Sequence, residues 1–403
     1  MTTAESPTAV APVGIPADFA QLVEWSRWHR AHRPVFYDEQ QRCWQVFRYE
    51  DLSAILGDPG RYLADLGDLL PSNPDLDLIR KGNFVNMDGA RHRKLRGLVA
   101  QAFTPRVVAA LEPRVVSLAT ELLDSAESDR FDLVSQLAYP LPVIVIAELL
   151  GIPAADRVHF RRWAEEFFPF DEKEPDIVGT QDAIDTLAPT VREMTAYLLA
   201  HIADRRRRPR EDLTSRLVQA EVDGERLADD EMVGLIALLL TAGHITTAAL
   251  LGNTVHTLDR RPAVTARLRA DRAAVPGAID EVLRFRPPLP RLTRRTATEV
   301  TLGGQTVPAG EVVALWLVSG NRDEAKFAEP DTFDIDRRPN QHLGFGHGIH
   351  FCLGAPLARL ENRVALNLLF DRYREINLVG AGEFHHPFAI NSAKSLPLRV
   401  VPA

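Results

Sequence analysis

Leu343–Arg359 reads LGFGHGIHFCLGAPLAR. Gly344, Gly346 and Gly348 precede Cys352, Gly354 follows it, and an apolar helical pattern begins at Ala355. Glycines let a chain turn sharply and approach a bulky flat group closely. The first amides of the coming helix point toward the sulfur and favour its thiolate form. A thiolate held in this way is a suitable ligand for a soft or borderline metal. Other readings of the same residues stand beside this one. A cysteine is commonly a small buried hydrophobe. A redox thiol works with a second cysteine nearby, and the only other one, Cys43, is distant in sequence. His347 and His350 suggest zinc, but no C-x2-C pair is present and zinc leaves the glycines unexplained.

Outward from this loop, a long helix is expected from about Ala355 to Tyr373. Upstream, residues 320–350 are rich in Asn, Asp, Pro and Gly, and an irregular stretch of that length inside a compact domain is usually functional. Glu299–Val313 alternates around Gly303-Gly304 and Pro308-Ala309-Gly310, which predicts short strands. Before Arg286 the texture is helical. Thr104-Pro105 supplies an N-cap and a first-turn proline. Val107/Val108, Leu111, Val115, Leu118 and Leu122 then recur at the spacing of one helix face. Pro142–Leu150 reads as an apolar helix closed by Gly151. Thr190–Ala203 and Leu213–Val222 read as amphipathic helices, with Arg205–Arg210 between them as a solvated helix end.

Met232–Asn253, MVGLIALLLTAGHITTAALLGN, is long enough to span a bilayer. Thr241, His244, Thr246 and Thr247 lie at its centre, however, and Asp229, Asp230 and Glu231 precede it, as suits a helix N-terminus in water. The expectation is no membrane span but a helix, Asp229–Arg260, buried through a large domain. Of 403 residues, 45% are hydrophobic and 25% charged, which excludes wholesale disorder. A net charge of −8 disfavours nucleic-acid binding, and two cysteines exclude a disulfide framework. Met1–Ala17 lacks the basic and apolar regions of a signal peptide and reads as a mobile tail. A cytoplasmic protein with one domain over residues 18–403 is expected.

Phe345-x-x-Gly348-x-x-x-Cys352-x-Gly354 resembles the haem-binding signature of the cytochrome P-450 enzymes, the haem-thiolate monooxygenases. Three further motifs follow the family's order, and the resemblance runs from about Trp44 to the C-terminus. It implies a mainly α fold, one large helical domain with a small β-rich portion, holding haem b on Cys352. Glu281-Val282-Leu283-Arg284 resembles the family's E-x-x-R; residues at i and i+3 share a helix face. With Arg337 in PDTFDIDR, the resemblance implies a buried structural cluster of Glu281, Arg284 and Arg337.

Ala242-Gly243-His244-Ile245-Thr246-Thr247 is similar to the oxygen-activation motif A-G-x-[DE]-T. There Gly243 would leave room beside a flat cofactor and Thr246 would relay protons to dioxygen. Ile245 stands where an acid is expected, and an aliphatic chain cannot shuttle a proton, so water, His244 or the substrate would deliver it. The resemblance assigns the haem propionates to His92, Arg96, Arg295 and His350, with Arg294 as the alternative to Arg295, and places Phe345 and Gly354 against the cofactor. Family analogy implies substrate contacts from the Leu63–Phe84 loop with Leu66, from residues around Phe167–Thr186, from Leu238 and Ala242, from Leu289–Leu292 and from Phe388–Ile390.

Electrons would come from a separate ferredoxin and ferredoxin reductase, docking on Arg91, Arg93, Lys94, Arg106, Arg359 and Arg363. The expected substrate is a small, largely apolar molecule, a bacterial natural-product intermediate. Two alternatives remain open here: a haem-thiolate enzyme that couples or cyclises by radical chemistry, and a non-catalytic haem sensor.

Overall fold

A computed structural model describes residues 14–126, 129–167, 181–222 and 225–403. Its longest element is the central helix, Asp229–Asp259, with Asp229, Asp230 and Glu231 in the first turn against the positive end of the dipole. This is one helix long and apolar enough to cross a membrane, and it is mostly buried by its own fold. It packs against Pro74–Arg80, Pro140–Leu149, Gln181–Arg207 and the cysteine helix, Ala355–Arg372. Two glycines set the closest of these approaches. A Cβ on Gly82 would lie 2.0 Å from the Glu231 carbonyl, and one on Gly234 would lie 2.1 Å from that of Ile79.

Helix starts follow the expected caps. The Thr104 hydroxyl accepts from the Val107 amide at the start of Pro105–Asp124, whose Val108, Val115 and Leu118 are buried. Gly151 takes φ +73° after the apolar helix Pro140–Leu149. The basic run departs from expectation. The helix before it spans Gln181–Arg207, longer than the apolar pattern implied, and the next one stops at Gln219. The added length brings Arg205 beside Asp212, the N-cap of Leu213–Gln219. Arg205 is therefore buried rather than solvated: Nε donates to Asp212 Oδ2 at 2.6 Å and Nη2 donates to the Gly151 carbonyl. Arg206–Arg210 remain exposed.

The β-rich portion is a sheet ordered Val35–Asp38, Cys43–Val46, Val312–Leu315, Leu292–Thr296, Tyr62–Leu63. All its pairings are antiparallel except Cys43–Val46 with Val312–Leu315. Val300–Leu302 and Gln305–Val307 form the expected hairpin over Gly303 and Gly304, both at positive φ. Between the short helix Leu317–Gly320 and the 3-10 turn Gly348–His350 no regular element intervenes, as anticipated.

The Arg205–Asp212 pair is buried on both sides, with side-chain exposures of 3% and 4%. Asp212→Ala should cost about 1–3 kcal/mol, because it unpairs the buried Nε and removes the helix cap while Asp204 still holds Nη1 at 2.7 Å. Urea unfolding of the two proteins measures this, and a loss under about 1 kcal/mol would mean the arginine escapes to water.

Candidate active site

Glu281 and Arg284 share one face of Val275–Phe285 and are wholly buried. Arg284 Nη2 lies 2.7 Å from Glu281 Oε1 and Nε lies 2.8 Å from Oε2. Arg337 Nε adds a contact at 3.3 Å, and the Asp334 amide and Asn340 Nδ2 also donate to this carboxylate. The guanidiniums reach outward to the carbonyls of Asn321, Pro330 and Thr332 from Arg284, and of Ala328, Glu329 and Thr332 from Arg337. Asn321 carries this order into the cysteine loop, since its Oδ1 accepts from the Leu343 amide at 2.7 Å.

The loop glycines serve the backbone more than the expected flat group. A Cβ on Gly344 would lie 2.7 Å from the Leu283 carbonyl, and one on Gly348 would lie 2.4 Å from that of Leu56, at φ +70°. Gly354 differs, with nothing within 4 Å of where a Cβ would stand. The Cys352 amide donates to the Phe345 carbonyl at 2.9 Å, and the Arg359 guanidinium covers the Phe345 ring at 4.6 Å. Burial pushes the Cys352 thiol up, while the Gly354 and Ala355 amides and the charges of Arg96 and Arg359 favour the thiolate. Among the described residues no three His, Cys, Asp or Glu side chains converge on an ion site, so His347 and His350 do not make a zinc centre with Cys352.

Near the thiol lies a set of polar side chains of which His92 is unmet. His92 is 1% exposed, and neither ring nitrogen has a partner. Burial pulls it down to about 4, so the ring is neutral near pH 7. Its ring centroid is 4.3 Å from that of His350, whose Nε2 is 3.4 Å from Asp88 Oδ1. Asp88 Oδ2 in turn accepts the amides of Ala64 and Asp65. Arg96 donates to the Phe351 carbonyl. Strand alternation decides between the two adjacent arginines. Arg294 is buried on the Asp88 side and, among the described residues, its guanidinium donates to the Thr293 carbonyl alone. Arg295 turns away to Asp68, at 2.8 Å, and the Leu66 carbonyl. Arg294 therefore replaces Arg295 in the donor set. His92, Arg96, Arg294 and His350 suit a buried group that brings two carboxylates.

The central helix contributes one narrow face. Ala242 is exposed, Thr241, Gly243 and Thr246 are half-buried, and the residues on either side of this stretch are sealed, with Leu238 one turn before Ala242. Thr246 Oγ1 donates to the Ala242 carbonyl at 3.1 Å. A Cβ on Gly243 would lie 3.4 Å from the Ile146 side chain, an ordinary contact, so this position faces Pro140–Leu149. His244 is not brought to Thr246. Two residues apart on an α-helix are about 200° apart, and His244 lies among Phe160, Trp163 and Met194 with its ring 5.5 Å from Tyr139. Its Nδ1 meets the Leu240 carbonyl, its Nε2 is orphaned, and burial pulls it down to about 4. Ile245 packs on Ala249 and Ile390. Leu66 is buried near the Arg295 turn, Leu289 is half-buried, and Leu292 packs with Val46 and Leu315. Much of the Phe167–Thr186 segment, residues 168–180, lies outside the described residues.

Asn321, Asn340 and Asp88 escaped the sequence reading. Each acts through space on a distant segment, and no local spacing announces it.

A family model described as Cytochrome P450 matches residues 179–376. Among curated relatives, the cyclomarin C epoxidase CymV of Salinispora arenicola is 46% identical over 89% of this chain and 90% of its own. The erythromycin C-12 hydroxylase of Saccharopolyspora erythraea is 41% identical over 90% and 89%. Among solved structures, the hydroxylase HmtN of himastatin biosynthesis superposes with TM-score 0.82 at 43% identity, covering 94% of this chain and 96% of that one. A mutant of EryK in complex with erythromycin B gives TM-score 0.88 at 38% identity, covering 95% and 97%.

The two arginines can be told apart by haem retention. Arg294→Gln should speed haem transfer to apomyoglobin by about tenfold or more, since a buried charge-assisted bond is worth about 1.5–3 kcal/mol. Arg295→Gln should change it less than about twofold, as expected for an exposed ion pair. Equal effects would contradict the strand phase.

Proposed function

This chain belongs to the cytochrome P450 family, whose members ligate haem through a cysteine, and on that premise we propose that Cys352 is the axial ligand of haem b. The enzyme is a monooxygenase of natural-product metabolism. The observation that carries the cofactor assignment is the donor set of buried His92 and Arg294 with half-buried Arg96 and His350 near Cys352, His92 being wholly unpartnered. When bound, the haem supplies reductive activation of dioxygen and insertion of one oxygen atom into a substrate bond.

The chain's own residues orient, exclude and deliver. His92, Arg96, Arg294 and His350 would hold the two propionates. Gly354 leaves room for a flat group beside the thiolate. Thr246 Oγ1 can hold a proton or a water at the face it shares with Ala242. Ile245 packs on Ile390 next to that face. With His244 on the far side, protons come through Thr246 and ordered water, or from the substrate. Leu66, Leu238, Ala242, Leu289, Leu292 and Ile390 would contact the substrate, an apolar small molecule hydroxylated or epoxidised as the names of the relatives describe for theirs.

Residues 18–403 act as one cytoplasmic domain and take electrons from a ferredoxin and its reductase. Within the expected docking face, Arg91, Arg359 and Arg363 pair with Glu231, Asp280 and Glu112. Arg93 and Arg106 are exposed and then carry more of the attraction. The acid-free motif favours one second reading, coupling or cyclisation without oxygen insertion, and product analysis under labelled dioxygen separates the two.

Purified protein should give the long-wavelength Soret band of a thiolate-ligated haem in its reduced carbon-monoxide complex. Cys352→Ser should abolish that band and Cys43→Ala should leave it, because Cys43 is buried in the Cys43–Val46 strand among Val312 and Ala314. An unchanged band in Cys352→Ser would remove the assignment. Thr246→Ala should uncouple turnover, with reductant consumed and peroxide replacing product, since a positioned acid–base group is worth about 10²–10⁴-fold. Full product yield without peroxide would assign proton delivery to the substrate.

A further inference from the structure

Arg359 counts among the cations of the expected docking face, yet its contacts run toward the cysteine loop. It stands in the second turn of Ala355–Arg372, the helix that begins just after Cys352. Its guanidinium covers the Phe345 ring at 4.6 Å, and its Nε donates to Asp280 Oδ1 at 2.8 Å. Asp280 directly precedes Glu281 on Val275–Phe285 but serves its own set of partners. The oxygen that takes Arg359 also stands 3.8 Å from His342 Nε2. His342 Nδ1 accepts the Gly344 amide at 3.2 Å, which leaves the proton of the neutral ring on Nε2, toward the carboxylate. Burial pushes the Asp280 carboxyl up, but the bonds from His342 and Arg359 outweigh it and hold the group below the usual carboxylate range.

These contacts converge on the backbone that carries the thiol. The Phe345 carbonyl accepts the Cys352 amide at 2.9 Å, and the Phe345 ring meets the edge of Phe351, the neighbour of the cysteine. One carboxylate therefore reaches the loop twice, through Arg359 to the Phe345 ring and through His342 to the Gly344 amide. Arg363, one turn later, is drawn instead to Glu112 on Pro105–Asp124. Burial pushes the Cys352 thiol up, and the Arg359 charge is one of the influences that oppose it. Asp280 and Arg359 keep side-chain exposures of 35% and 37%, so water screens their charges and the effect on the sulfur is modest.

We propose that Asp280 and Arg359 are positioning residues for the Cys352 thiolate: the carboxylate aims the guanidinium over Phe345, and the positive charge held there draws electron density from the sulfur. A cation beside a metal ligand stabilises the reduced, more negative state of the centre, so its loss makes the centre harder to reduce. Asp280 acts through Arg359. Without the carboxylate the guanidinium is free to turn into water, and the centre loses the same charge. The direct influence of Asp280 on the centre has the opposite sign, because removing a negative charge by itself eases reduction.

The proposal rests on the haem-thiolate reading, and a spectroscopic redox titration of the purified haem-loaded enzyme separates the two. No ferredoxin is present, so docking does not contribute. Each protein is first checked for the thiolate Soret band, and a wild type without it overturns the haem reading instead. At the potential where half of the wild type is reduced, Arg359→Gln should lower the reduced-to-oxidised ratio about threefold, equivalent to about 28 mV for one electron. Asp280→Asn should lower it in the same direction by about twofold, and the double variant no further than Arg359→Gln alone. Arg359→Lys, which keeps the charge, should stay within about 1.5-fold of the wild type. A wild-type ratio in band-positive Arg359→Gln overturns the proposal, and so does an unchanged or raised ratio in Asp280→Asn or a double variant in which the shifts add. Where a neutral variant loses the band altogether, the charge-keeping Arg359→Lys or Asp280→Glu decides. A restored band supports the proposal and a missing one overturns it.

Discussion

One buried carboxylate organises the half of the molecule that carries the thiol. Glu281 has no exposed surface, and two guanidiniums, a backbone amide and an asparagine side chain converge on it. Such a cluster is weak evidence for net stability, because desolvating three charges offsets much of their attraction. Its value lies in geometry. The arginines spread from Glu281 to carbonyls along residues 321–332, a stretch without helix or sheet to fix it. Asn321 then holds the start of the cysteine loop through the Leu343 amide. Position passes from one charge toward the thiol through a connected chain of hydrogen bonds, several of them shared between neighbouring carbonyls.

The opposite wall depends on helix phase. The central helix turns Leu238, Ala242 and Thr246 one way and His244 the other, while Gly234 admits the Pro74–Arg80 segment at close range. Ile245 lies between these faces and packs on Ile390. An acid at position 245 would have to displace that apolar contact. The absence of an acid and the presence of Ile390 are therefore one packing solution, with Thr246 the hydroxyl left on the open face.

What the sequence disclosed was whatever is local. The cysteine loop, the Glu281–Arg284 spacing, the Thr104 cap and the central helix each lie within a few turns, where period and capping rules apply. The errors arose where phase or length had to be known. Arg294 and Arg295 are neighbours, and only the pairing of Leu292–Thr296 with Val312–Leu315 shows which one turns inward. Arg205 reads as solvated until its helix is seen to run on beside Asp212. His244 was recoverable, since a residue two positions from Thr246 cannot share its face. Asp88, Asn321 and Asn340 were not, because their partners lie dozens of residues away or in segments without periodicity.

If the buried carboxylate positions the thiol, removing its charge while keeping its shape should disturb the metal site before the helices. The direct measurement is the carbon-monoxide difference spectrum of Glu281→Gln beside its far-ultraviolet circular dichroism. The account expects near wild-type helicity with the thiolate Soret band lost or shifted to the short-wavelength form of a displaced ligand. A Glu281→Gln protein with the full thiolate band would contradict it, and would mean that the cysteine loop holds its position without the Glu281 cluster.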